Sequence, residues 1–309
     1  MNPTPTELTG SDYQGNYIWS IAMNLAWNEL CDHVLGKKVI FEDQTGADLV
    51  ALFNQQLFHR NVVGEDTCLA KSGYGIHTVH RILQELAERF PEQSTDLLVS
   101  ISLEVNELLC YAYLQKSFVH WSAFVEVPVS FLGKPVKGFS PKGQPGQGVQ
   151  LVMYQDADNF VVRLLSADEL EQIILIKGFA DVGHEELLGF LKKVTSRAFP
   201  ELGPEDRLLI PNIHFQHTRS YDELIGAKVK DEDLFLRIMK EQIKFSLDYQ
   251  GARVENEAVL VMARGGFDDP KQLIFDKPFW LAMKRMDQDL PYLILRVENE
   301  VIMEPITNS

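Results

Sequence analysis

The chain has 309 residues, enough to bury a sizeable core, and its 45% hydrophobic and 24% charged content are ordinary for a globular protein. A formal charge of −15 argues against nucleic acid and anionic membranes as partners, because their phosphates repel an acidic surface. Three cysteines, Cys31, Cys68 and Cys110, are an odd number in apolar or mixed surroundings, so no disulfide framework is expected and a reducing, cytoplasmic setting fits.

Residues 1–15 read as a flexible N-terminus rich in Pro and Thr, without the basic start and apolar centre of a signal peptide. No transmembrane run follows. Residues 16–309 show no internal repeat and no sharp composition shift, which predicts a single domain. Asn16 to Ser20 leads into a helix over Ile21–Leu35, whose apolar residues recur at helical spacing and which Gly36 can stop. Further helices are predicted over Asp48–Phe58 and Ile76–Phe90, the latter closed by Pro91. The apolar runs Leu97–Leu103 and Leu108–Val129 read as central strands, and Lys134–Gly148, ending in GQPGQG, as a long flexible connection. Val149–Leu165 and Leu170–Phe179 form the strands of a hairpin, Glu185–Phe199 a short amphipathic helix, and Leu208–Phe215 a strand.

The last sixty or so residues carry the most information. Ile243–Leu247 alternates apolar and polar residues as a half-buried strand does, and Gly251 interrupts it. Alternation resumes from Ala252 to Met262 until Gly265-Gly266 and Asp268-Asp269-Pro270 break regular structure. Leu273–Met283 is a dense apolar run around Asp276-Lys277-Pro278, and Leu290–Met303 is a final strand-like segment.

This order of strand, glycine, long loop and Phe-Asp-Lys-Pro-Phe turn into two closing strands resembles the serpins. Phe275, Asp276, Lys277, Pro278 and Phe279 match the family's C-terminal signature, with Trp280 where a smaller apolar residue is usual. Asn16 and Ser20 keep the spacing of the motif that opens the family's buried helix, although Ile21 and Met23 replace its proline and second serine. Phe118 and Trp121, and Leu208–Phe215 followed by Tyr221–Leu224, are similar to two further patches. The resemblance implies an α+β fold: N-terminal helices, mixed and antiparallel sheets, and a long loop before the C-terminal strand pair. The chain is shorter than a usual serpin core, so helices are shortened or lost.

In inhibitory serpins a protease cuts the exposed loop, whose first half then enters the main sheet as a strand. The resemblance makes Gly251, Ala252, Arg253, Val254, Glu255, Asn256 and Glu257 the hinge of that loop. Ala252 is small and uncharged, as rapid insertion requires. Arg253, Glu255 and Glu257 are charged, and Asn256 would enter the buried face, at a cost on the order of 1–3 kcal/mol if left without a partner. Counting the loop length from Gly251 puts the scissile position at Gly265; a one-residue shortening makes Arg264-Gly265 the bait for a trypsin-like protease.

No other chemistry is indicated. His77 and His80 share a predicted helix face but supply two ligands where a metal needs three or four. His214 and His217 fall on opposite sides of a strand. No Gly-x-Ser-x-Gly elbow occurs, and Gly143, Gly146 and Gly148 lack the Gly-Lys-Ser/Thr ending of a phosphate loop. The expectation is a non-enzymatic, serpin-like protein without cofactor or metal that binds a protease or another protein and is not inhibitory. Two alternatives stand beside it: a protease inhibitor using Arg264-Gly265, and an unrelated α+β interaction module in which Ala252–Met262 is a permanent core strand.

Overall fold

A computed structural model of the chain describes residues 8, 10–91, 95–142, 148–167, 170–178, 184–194, 199–250 and 270–306. In chain order, strands β1 (Ser11–Tyr13) and β2 (Asn16–Ser20) precede helix α1 (Ala22–Glu29), which continues as a π-helical stretch over Leu30–Leu35. Helix α2 (Ala47–Phe53), strand β3 (Cys68–Tyr74), helices α3 (Gly75–Arg89) and α4 (Asp96–Val99) and strand β4 (Leu108–Leu114) follow. Next come β5 (Phe124–Phe131), β6 (Lys134–Pro141), β7 (Val149–Asp156), β8 (Asn159–Leu165), β9 (Glu171–Lys177) and helix α5 (His184–Lys193). The chain continues through β10 (Arg207–Pro211), β11 (Ile213–Ser220), β12 (Lys240–Leu247), β13 (Gln272–Ile274), β14 (Phe279–Arg285) and β15 (Leu293–Val297).

Two compact units emerge. One comprises Met1–Ser11, Trp19–Ser117 and Gln216–Ile243; the other comprises Asp12–Ile18, Phe118–Phe215 and Lys244–Ser309. In the first, β3 and β4 form an antiparallel pair with Cys68 opposite Leu114 and Tyr74 opposite Leu108. Helix α3 lays Val79, Ile82 and Leu86 against Leu69 and Leu109. A second cluster gathers Trp27, Phe53 and Tyr221, with Trp27 stacked on Phe53 at 5.1 Å. The first helical stretch ends where Gly36 takes the left-handed conformation, φ 62°, as the sequence predicts, and the amide of Lys37 closes on the carbonyl of Cys31.

In the second unit a seven-stranded sheet runs β1-β2-β15-β14-β9-β8-β7, and a four-stranded sheet runs β13-β10-β6-β5. Strand β14 lies antiparallel between β15 and β9, pairing Phe279 with Val297 and Lys177. The pairing puts Phe279, Leu281 and Met283 on one face with Leu175, Ile173, Phe160 and Val162, and the whole row is buried. Asn16, fully buried in β2, accepts from the amides of Glu298 and Asn299 and donates to Asn299 Oδ1 at 2.8 Å.

Several predicted elements change. Asp48–Phe58 contracts to α2 because Asn54 leaves the helix, accepting from Trp27 Nε1 and Val39 N and donating to Val39 O. Leu97–Leu103 is not a strand: Asp96–Val99 is a helical turn that buries Leu98, an ambiguity inherent in short apolar runs. Leu108–Val129 is two strands, and Val149–Leu165 is likewise two. The flexible connection predicted over Lys134–Gly148 begins with strand β6, paired to β5 from Lys134–Phe131 to Pro141–Phe124. Its prolines and glycine mislead. A Cβ on Gly138 would lie 2.5 Å from Ile210 O, so the glycine marks a close backbone approach rather than a loop. The two-residue turn before β6, Leu132-Gly133 with φ 50° and 80°, lacks the usual Asn-Gly signal. All three cysteines are free, and burial pushes the Cys110 thiol up to about 12.

The polar centre of the first unit is Glu241, 6% exposed. Its carboxylate accepts from Ser20 Oγ, from Tyr221 OH at 3.2 Å and from the backbone near Met23. Burial nevertheless pushes its pKa above the ordinary 4.5, so the folded state favours the protonated form. That contribution is present below pH 4.5 and is lost as pH rises through the folded value. Glu241→Gln, which does not titrate, should therefore gain stability relative to wild type between pH 5 and pH 7 in urea unfolding. Glu241→Ala should cost roughly 2–4 kcal/mol by orphaning two hydroxyls and leaving a cavity. A pH-independent difference between Gln and wild type would contradict this account.

Candidate functional site

The described residues on either side of 251–269 are held by side chains that bind backbone. On the N-terminal side β12 ends at Leu247, and the imidazole Nε2 of His120 sits 2.8 Å from the carbonyl of Asp248. The Asp248 carboxylate turns onto its own chain and accepts from the Gln250 amide at 2.7 Å. On the C-terminal side Asp206 accepts from the amide of Lys271 at 2.7 Å through one oxygen and from Gly203 N at 2.8 Å through the other. The Arg207 amide donates to Lys271 O, starting the parallel pairing of β10 with β13 that runs from Arg207–Gln272 to Leu209–Ile274.

The predicted signature follows at once, and four of its five residues divide into three tasks. Phe275 and Phe279 are fully buried, as their neighbourhood to Pro278 predicts, with ring centroids 5.0 Å apart. Phe160 packs on Phe275 at 5.0 Å, and Phe131 on Phe279 at 6.2 Å. Asp276 accepts from the ammonium of Lys177 at 2.6 Å. That ammonium, on a side chain 3% exposed, also donates to Ile274 O at 2.8 Å and Ala157 O at 3.0 Å, and lies 3.1 Å from Asp158. Lys277, on the outer side, donates to Asp158 at 2.8 Å. The hydrogen bonds from Lys277 and then Lys177 hold the Asp158 carboxyl below its ordinary range. Gly178 follows with φ 89°, and a Cβ there would fall 2.2 Å from Asp158 O, so only glycine lets the hairpin close over the lysine.

Gly251, Ala252, Arg253, Val254, Glu255, Asn256 and Glu257, and the candidate scissile residues Arg264 and Gly265, lie outside the described residues. Sequence reasoning missed Lys177, Asp158, His120 and Asp206. Of these, Lys177 alone has a local signal, a charge closing the apolar run Ile173–Ile176 just before a glycine. His77 and His80 are exposed, His217 instead bonds Ser11 Oγ at 2.8 Å, and no cluster of three metal-ligating side chains exists among the described residues. Among the same residues no helix is long and apolar enough to cross a membrane.

No family model matches the chain, and no curated protein matches it either. Solved structures do. Native protease nexin-1 with heparin is 11% identical, with 92% of each chain covered and a TM-score of 0.54. The mouse protein-Z dependent protease inhibitor is 10% identical, covering 93% of this chain and 91% of that one at a TM-score of 0.56. A tumour suppressing serpin is 9% identical, covering 91% and 92% at a TM-score of 0.57. The chain therefore has a divergent, shortened serpin-like α+β fold.

The buried ammonium gives the site a measurable hierarchy. Lys177→Met leaves the carbonyls of Ile274 and Ala157 without their donor and should cost roughly 2–4 kcal/mol. Asp276→Asn should cost only about 1 kcal/mol, because Asp276 is 41% exposed and water screens its charge. Urea unfolding of both variants checks the order, and an equal or inverted pair of losses would contradict it.

Proposed function

We propose that this serpin-fold chain acts by binding another protein through residues 251–269, without enzymatic activity and without trapping a protease covalently. The observation that carries the reading is the charge pattern after Gly251: Arg253, Glu255 and Glu257 fall where fast insertion calls for small, uncharged residues. A covalent trap requires the loop to enter a sheet before water releases the acyl-enzyme. Each charged side chain must pass the sheet edge partly desolvated, which slows that entry. What supports the loop as the working segment is its attachment: nineteen residues by number, 251–269, between two stems held by His120 and Asp206.

A second reading, inhibition of a trypsin-like protease, draws on Arg264-Gly265 and on neighbours that include a protease nexin and a protease inhibitor. In either case we take a protease or another protein as the partner, with no cofactor. Three free cysteines support a reducing, cytoplasmic setting.

Mixing the chain with a trypsin-like protease should give a cut at Arg264-Gly265, no SDS-resistant complex and no rise in melting temperature after cleavage. A covalent complex that disappears in Arg264→Ala would promote the inhibitor reading over ours. The triple variant Arg253→Ala, Glu255→Ala, Glu257→Ala examines the cause directly. If it traps no better than wild type, the hinge charges are not the obstacle.

A further inference from the structure

His120 is unusual among the eight histidines. It is 6% exposed, and its ring sits against Phe124 at 4.4 Å, Phe118 at 5.3 Å and Phe139 at 5.5 Å. The carbonyl of Asp248 can only accept, so Nε2 carries the proton and Nδ1 is the bare nitrogen of a neutral imidazole. Nδ1 is fully buried and, among the described residues, has no hydrogen-bond partner. A second proton would have to go there, facing no acceptor, and would place a full charge among three phenyl rings.

From the β12 side the titratable neighbour is Asp248, whose carboxylate is engaged by the Gln250 amide. From β5 and β6 the ring meets Phe124 and Phe139. Across the bridge from His120 to Ser166, the hydroxyl of Ser166 takes the Glu171 amide, while the Glu171 carboxylate takes Tyr292 OH at 2.8 Å. Lys142, whose amide bonds Ala123 O, has an exposed side chain. Attraction from Asp248 and the phenyl faces favours the charged ring, but desolvation opposes it more strongly and lowers the pKa from the ordinary 6.5.

We infer that His120 is a proton-operated latch on the strand end that leads into 251–269: neutral, it fixes the Asp248 carbonyl; protonated, it leaves the phenyl box and frees that end. This rests on reading 251–269 as the functional segment, whose presentation it would regulate. The sign follows from the lowered value. The bond's contribution is whole above the ordinary 6.5 and falls as pH drops below it, since the unfolded or released ring takes up a proton that the boxed ring refuses. The latch therefore opens toward acid.

The test is hydrogen exchange on the full chain from pH 7.5 to pH 5, corrected for intrinsic rates, followed on the amides of residues 243–250. In wild type, protection there should fall severalfold across that range. His120→Gln keeps an amide donor near the Nε2 position and cannot titrate, so its protection should be flat. His120→Phe keeps the packing without the donor and should be poorly protected throughout. Equal pH profiles for wild type and His120→Gln, or a flat wild type, would overturn the latch. Should His120→Gln fail to fold, the imidazole resonances of wild type decide: a midpoint at or above 6.5 overturns it, and a lower one supports it. These outcomes are separate from the reading of the loop, which fails if protease at pH 7.5 leaves Arg264-Gly265 uncut.

Discussion

One buried ammonium constrains the C-terminal part of this fold. Lys177 closes β9 with a side chain 3% exposed, and a charge so placed must find acceptors or be expelled. It finds them in two segments far apart in sequence: the carbonyl of Ala157 in the β7–β8 turn, and the carbonyl of Ile274 with the carboxylate of Asp276 just after β13. The lysine thereby sets the path from β13 into β14. It also lies 3.1 Å from Asp158 and faces Phe160, whose ring is 5.6 Å from the ammonium. That ring belongs to the same edge-to-face aromatic cluster as Phe275 and Phe279, so the polar clamp and the apolar core secure one turn together. Asp276 and Lys277, adjacent in sequence, have separate duties: the first neutralises the buried charge, the second holds Asp158 at the surface.

The reading of the C-terminal turn from sequence succeeded because its residues are contiguous. Two phenylalanines around a proline need burial wherever they sit, and Asp-Lys-Pro between them predicts a turn. Their partner is distant: Lys177 is 99 residues from Asp276, and although a charge closing an apolar run marks it locally, nothing in the sequence ties it to this turn. His120 and Asp248 are 128 residues apart, and the imidazole looks like any histidine in an aromatic run until the strands are placed. Composition misled at β6, where Pro135, Gly138 and Pro141 read as a loop. In the sheet Gly138 is required by the approach of Ile210 O. Pro128, in β5, lies on a strand at the edge of its sheet, where the missing amide leaves no ladder bond unmade.

The two buried ionisable groups on β12 and against its end respond to pH in opposite senses. Burial raises Glu241 and lowers His120, because desolvation disfavours the charged form of each. Acidification thus relieves Glu241 and strains His120. Glu241 keeps three donors around a carboxylate, so either protonation state is served there. His120 has an acceptor for one proton and, among the described residues, none for a second. The asymmetry is in the partners rather than in the burial, and it locates the acid-sensitive point at the end of β12 rather than along it.

The anchors of 251–269 share one property that bears on function. His120 grips a carbonyl and Asp206 grips an amide, so both bind backbone atoms that every residue other than proline supplies. Such anchors fix where the segment starts and ends while placing no demand on the side chains between them. The fold therefore accommodates a binding segment and a bait alike, and at 9–11% identity the likeness to solved structures is a likeness of fold. What distinguishes the two is the chemistry of the segment itself, in which alternate charged residues follow Gly251 and Arg264 stands directly before Gly265. Those charges are compatible with a partner that reads a presented surface. They work against a mechanism in which the same residues must enter a sheet faster than water attacks an ester.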